Sequence, residues 1–276
     1  MSESEQSPHE KELLVRPKAK LGAELISALK AAWDKLGLMI LMSVTWAVVV
    51  SLPLSFIRWL PHSISPVLRY SLIVLIPIFG AVPSAGASYI AQEIGAFREV
   101  SYAIYVQKGW ELRWQSLRLS LIHWGVIGTI GFAGWFYLRI PHWSAKIGLL
   151  FCVYFAFFWC MMAIYHYPIL IAQETGLFDE PERRAKRGAG AVLRRCFFLA
   201  VGRPLFAIGL LLALSLFALL TLLTAVLPIL LWSGCLSLLA TLPIRALLVQ
   251  FDVLPVPAAP LENDSNKIFK ELPKKN

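Results

Sequence analysis

The amino-acid sequence predicts an all-α, polytopic membrane helix bundle with six transmembrane helices. Three observations carry that class. Hydrophobic residues make up 58% of the chain and charged residues only 16%. Several apolar runs reach the roughly 20 residues that cross a bilayer as a helix. Those runs do not alternate apolar with polar positions, as the strands of a membrane β-barrel must.

The elements follow in chain order. Residues 1–20 are polar and Pro-containing, which predicts a disordered tail with no cleavable signal peptide. Over 21–35, Leu21, Leu25, Leu29 and Trp33, with Leu36 just beyond, fall near i, i+4 spacing, so this segment reads as an amphipathic interfacial helix. The membrane domain runs over 36–254. Its first four spans are expected near 36–57, 67–92, 119–138 and 146–172. The apolar segment 204–250 is too long for one helix and must fold as two spans with a turn near Pro228. Residues 255–276 form a second disordered tail. Between spans, 97–118 and 182–200 mix aromatic or apolar residues with basic ones, the pattern of amphipathic helices lying in the headgroup layer.

Charge sets the orientation. The net charge is +9, and 22 of the 26 lysines and arginines fall on one side of the six-span scheme. Basic loops stay in the cytoplasm, so the chain is expected in the cell membrane with both termini cytoplasmic. The excess reads as a basic face for anionic lipid, and no nucleic-acid partner is expected. Trp59, Trp135, Tyr137 and Trp143 fall at the opposite ends of the spans, where an interfacial aromatic belt belongs.

A short phrase is written twice. Residues 88–97 read SYIAQEIGAF and residues 169–178 read ILIAQETGLF. In each copy a helix is expected to end at Ile-Ala-Gln-Glu, with the glycine closing it through a positive φ. The separation predicts parallel two-helix repeats joined by amphipathic elbows. TLPIRALLVQF at 241–251 is a degenerate third copy, with Pro243 in the place of Pro168.

PIFGAVPSAGASYIAQEIGAF, with YHYPILIAQ, GRPLFAIGLL and LPIRALL further on, resembles the YesL-like bacterial membrane proteins over residues 36–250. The resemblance implies a six-span cell-membrane protein associated with carbohydrate uptake and its regulation. It implies no catalytic residues.

A search for chemistry finds little. There is no GxxxxGK[ST] phosphate loop and no HExxH zinc motif. The five histidines are dispersed, and the four cysteines form no CxxC, so they read as small packing residues. No enzyme, metal or cofactor is expected. The residues singled out are structural. Gly80 and Gly86 in span two are expected to meet a ridge of Gly125, Gly128 and Gly131 in span three, because small residues let helices approach closely. Glu93 and Glu174 end two helices, beside the negative pole of the helix dipole. Arg245 is the expected counter-charge, so that the three form a clasp between the repeats. The function expected from all this is a non-enzymatic accessory or scaffold for solute uptake or its regulation, working with a membrane transport complex or a cytoplasmic partner. The alternative is a transporter or channel with a path between the repeats.

Overall fold

The structure is a computed structural model and describes residues 20–59, 65, 75–175, 188–224 and 227–251. Among these residues all regular structure is helical: α1 (Leu21–Asp34), α2 (Leu36–Trp59), α3 (Leu75–Ile94), α4 (Tyr102–Glu111), α5 (Arg113–Arg139), α6 (Trp143–Glu174), α7 (Ala189–Gly202), α8 (Pro204–Leu222) and α9 (Leu227–Gln250). Helix lengths run short, long, long, three times over: 14, 24 and 20 residues, then 10, 27 and 32, then 14, 19 and 24.

Five helices are long and apolar enough to cross a membrane: α2, α5, α6, α8 and α9. The chain is therefore an all-helical protein with the character of a membrane protein. The remaining predicted span corresponds to α3, which does not fall within that set; residues 67–74, its expected beginning, lie outside the described residues. The two predicted tails lie outside them as well, apart from Lys20. The long segment 204–250 does divide in two. Pro204 opens α8, and Pro228 sits in the first turn of α9, where a missing N–H costs nothing.

The innermost of these five spans is α9. Its membrane window is 56% buried, against 11–22% for the other four spans. It packs on α1, α2, α3, α6 and α8. The remaining contacts follow a pattern. The third, inner helix of each trio packs on the short helix of another: α3 on α4, α6 on α7, and α9 on α1. The inner helices also pack on the outer spans α5, α8 and α2 in the same order, and on one another. Each inner helix carries one internal proline, Pro83, Pro168 or Pro243.

The short helices are docked more tightly than interfacial elbows would be. On α1 the buried seam runs through Ala28 and Ala32, with Leu21 and Leu25 partly buried beside them. The predicted apolar stripe is divided: Leu21 and Leu25 touch the bundle, while Leu29 and Trp33 are exposed. The elbow expected over 97–118 resolves into α4 and the first turns of α5. Ser101 caps α4 by accepting from the Ile104 N–H. The helix then crosses α3 at Gly86 and Gly109: a Cβ on Gly86 would lie 2.7 Å from the Tyr105 carbonyl oxygen, and one on Gly109 would lie 3.0 Å from that of Val82. Glycines that bring two backbones together are the usual device where lipid supplies no hydrophobic drive between helices.

The predicted glycine contact between spans two and three is corrected. Gly125, Gly128 and Gly131 have no atom of another segment within 4 Å of a built Cβ, so their face of α5 looks outward. The buried face of α5 carries Ser116, Leu119 and Ser120 instead. Gly80 meets Val50 and Trp46 of α2, and Gly86 meets α4. Cys196 and Cys235 are buried as expected, whereas Cys160 is exposed.

Candidate functional site

The first polar cluster forms where the inner helices end. The two copies of Ile-Ala-Gln-Glu take the same role. Ile90, Ala91 and Gln92 are buried at the end of α3, and Ile171, Ala172 and Gln173 at the end of α6. Each glutamine receives an arginine from another helix. Arg245 of α9 donates from Nη1 to the Gln92 carbonyl at 2.9 Å, and Arg195 of α7 donates to Gln173 Oε1 at 2.9 Å. A cation at such a point suits the carbonyl-rich, negative end of a helix.

The clasp is therefore drawn differently from the expectation. Arg245 bonds a main-chain carbonyl, not a carboxylate, although Glu93 stands within electrostatic reach of it. Glu93 pairs with Arg98 five residues on, at 3.2 Å. Glu174 has no ion-pair partner among the described residues. The glycine of the phrase also serves another purpose. The residue with positive φ is Phe97, at 58°, not Gly95. Gly95 is small because the stem of Arg245 passes over it: a Cβ there would sit 2.9 Å from Arg245 Cδ and 2.6 Å from Leu242 Cδ2.

The second cluster lies deeper, between the spans. A cavity of about 420 Å³ is bounded by α2, α3, α5 and α6. A second, of about 240 Å³, lies where α3, α6 and α9 meet, with α2 and α8 at its edge. The two share Trp46, Ser84, Ala163 and Tyr167 as a common wall. That wall is hydrogen-bonded. The Trp46 indole donates to Ser84 Oγ at 3.0 Å, and the Tyr167 hydroxyl bonds with Ser84 and Ser120.

Each cavity carries polar groups on its far side. In the smaller one Ser88, Ser233 and Ser237 face inward from α3 and α9. In the larger one His123 and His166 stand edge to face, with ring centroids 5.5 Å apart. The Trp159 indole donates to His123 Nδ1 at 3.2 Å. The accepting nitrogen carries no proton, so the neutral His123 ring is protonated at Nε2. His166 is 2% exposed, and its Nε2 lacks a hydrogen-bond partner.

Such a nitrogen on a cavity wall leaves a place for a ligand donor or acceptor, since buried polar groups are normally satisfied. The site can hold a small molecule between apolar and aromatic walls and bond it through hydroxyl and imidazole groups. Among the described residues, no group of three or more His, Cys, Asp or Glu is placed to hold a metal ion. Sequence reasoning passed over His123, Ser120, Ser233 and Ser237 because each is a single polar residue in an apolar run. Polar residues within spans were the available signal, but their convergence depends on how the helices register against one another.

No family model, curated protein or solved structure matches the chain.

Proposed function

We propose that this is a multi-pass protein of the cell membrane that binds a small, neutral, hydroxyl-bearing solute between its inner helices and moves it across the bilayer. The observation that carries the reading is the pair of adjoining cavities with Ser84, Ser88, Ser233, Ser237, Tyr167 and the two imidazoles on their walls. Polar side chains are costly inside a bilayer and usually mark a solute or ion path. Indole and hydroxyl surfaces side by side suit a solute with both an apolar face and hydroxyl groups. The proline in each inner helix adds to this, because it frees a main-chain carbonyl for bonding within the bundle.

The architecture that frames the path is a threefold internal repeat of short, outer and inner helix, with α3 as the sixth span. The recurring lengths, the recurring prolines and the cyclic packing of α3 on α4, α6 on α7 and α9 on α1 support it. Copies related in this way share one orientation, unlike the inverted repeats of many transporters. Arg195 of α7 reaches Gln173 of the repeated phrase, so the basic side chains of α7 belong to that end of the bundle. That end is then cytoplasmic, as are both termini.

An accessory role in a larger uptake complex is the second reading. The exposed basic and aromatic residues of α4 and α7, Trp110, Phe197 and Phe198 among them, favour it as a surface for another protein. The test is osmotic swelling of liposomes carrying the full-length chain, with a panel of neutral polyols and monosaccharides. Swelling faster than in protein-free liposomes for at least one solute, slowed by Ser237→Leu, is the expected result. No solute distinguishing the two, together with a stoichiometric partner after mild purification, would replace transport by the accessory role.

A further inference from the structure

A third cavity has no part in that path. It is a lateral groove of about 480 Å³ between α2, α3, α4 and α5. Its walls are almost wholly apolar: Val49 from α2, Phe79 and Val82 from α3, Val106 from α4 and Leu117 from α5. At one end stands Arg113, the first residue of α5, between two indoles. Its guanidinium lies 4.9 Å from the Trp110 ring centre and 5.9 Å from that of Trp114, and Nη1 donates to the Trp110 carbonyl at 2.9 Å. Trp110 and Trp114 are 63% and 60% exposed.

The charge on Arg113 is uncompensated. The nearest acid in sequence, Glu111, is engaged by Lys108 at 2.6 Å and by Gln107 at 3.0 Å. Among the described residues no carboxylate pairs with Arg113. One fixed cation, with N–H groups to spare, therefore closes one end of an apolar slot. Two exposed indoles beside it are the side chains that favour the headgroup layer. Arg113 also opens a span while Val49 and Phe79 lie well inside α2 and α3, so the slot runs from the headgroup level toward the bilayer interior.

We propose that this groove is a binding site for one anionic phospholipid. One acyl chain lies in the slot, and the phosphate accepts hydrogen bonds from the Arg113 guanidinium between the indoles. The complementarity is specific in kind: an apolar tail meets the walls, and a planar fork of donors meets a phosphate. A zwitterionic lipid with the same tails would fill the slot equally well, but its own cation would oppose Arg113. The inference rests on the chain lying in a bilayer and not on the solute path.

The experiment is native mass spectrometry of the full-length protein in detergent. It is titrated with an equimolar mixture of phosphatidylglycerol and phosphatidylcholine of matched chains. The first bound lipid should be phosphatidylglycerol by about fivefold, the preference expected of one arginine at a membrane surface. Arg113→Gln should bring that ratio to about one while leaving the number of bound lipids unchanged. Val106→Trp, which fills the slot with Arg113 intact, should reduce binding of both lipids. Arg194→Gln, which removes a cation stacked on Phe198 within α7, a helix that does not line the groove, should leave the preference intact. If Arg113→Gln fails to fold, Arg113→Lys and Val106→Trp decide: retained preference in the first and loss of bound lipid in the second are the supporting results. Equal occupancy by the two lipids in the wild type would overturn the proposal. So would a preference that survives Arg113→Gln, or bound lipid unaffected by Val106→Trp.

Discussion

Replacing Gly86 by alanine adds one methyl group at the point where α3 and α4 cross. The new Cβ would lie 2.7 Å from the Tyr105 carbonyl oxygen, and 2.9 and 3.0 Å from two carbons of its ring. Ordinary contact between nonbonded heavy atoms is about 3.5–4.0 Å. The ring could turn aside, but the carbonyl belongs to the backbone of α4, so the helix itself must retreat by most of an ångström. Overpacking of this kind costs about 1–3 kcal/mol. Against it stands the better helix propensity of alanine, about 1 kcal/mol. Where the crossing decides, Gly86→Ala should destabilise by about 1–2 kcal/mol net. Gly128→Ala is the matched control. It gains the same propensity and meets nothing within 4 Å, so it should be neutral or stabilise by up to about 1 kcal/mol. Chemical unfolding in detergent micelles, followed by circular dichroism, measures both. Tyr105 is itself buried, so Tyr105→Ala serves only as a background: Gly86→Ala should still destabilise within it, because the nearest clashing atom, the main-chain carbonyl, remains. A Gly86→Ala protein as stable as the Gly128→Ala protein would refute the crossing. So would a Gly86→Ala change that costs nothing in the Tyr105→Ala background.

Arg245→Ala should lower stability by about 1.5–3 kcal/mol, the range for a buried hydrogen bond to a charged group. Glu93→Gln should not rescue it, since the carboxylate pairs with Arg98; rescue in the same unfolding assay would restore the carboxylate clasp. His166→Phe removes a polar nitrogen that has no partner while keeping a ring of similar breadth. The protein should therefore unfold at a denaturant midpoint no lower than wild type, while solute-driven swelling falls; unchanged swelling would take the imidazole out of the path. Burial raises the pKa of Glu24 in α1, so folding disfavours its ionised form. Its unfavourable contribution is absent below the unfolded-state value near 4.5 and grows as pH rises through the folded-state value. Glu24→Gln should thus gain a few tenths of a kcal/mol at pH 7 and nothing at pH 4, as on a partly exposed site; an equal change at both pH values would contradict this.

The helices were legible because their signal is local. Uninterrupted apolar runs between basic segments located α2, α5, α6, α8 and α9 to within a few residues, apart from an extra turn or so at the start of α5. The repeated phrase likewise pointed to two equivalent helix ends, and Gln92 and Gln173 do occupy matching buried positions. Facing was not legible. Glycines at every third residue define a side of α5 without saying whether that side meets protein or lipid, because both surroundings are equally apolar. The partner of Arg245 was hidden for a different reason. A charge calls to mind an opposite charge, but a helix end offers carbonyl oxygens that satisfy an arginine as well. The imidazole pair depended on the register of α5 against α6, which no window of either helix contains.

The packing of the first described helix on the last, α1 on α9, bears on how the chain is made. Ribosomes deliver α9 after everything it supports. Until it arrives, α1 lacks its main partner, α2 and α3 each lack an inner neighbour, and the Gln92 carbonyl waits for Arg245. Among the described helices the bundle is therefore closed by the last to be made, in the manner of a keystone, and a chain that stops before it leaves Ser84 and Ser88 of α3 without α9 beside them. A ribosome stalled just short of residue 227 would leave such a chain, with the Ser88 hydroxyl deprived of its α9 neighbours. Quality-control proteases that extract unassembled membrane segments should find this species a substrate and the closed bundle a poor one.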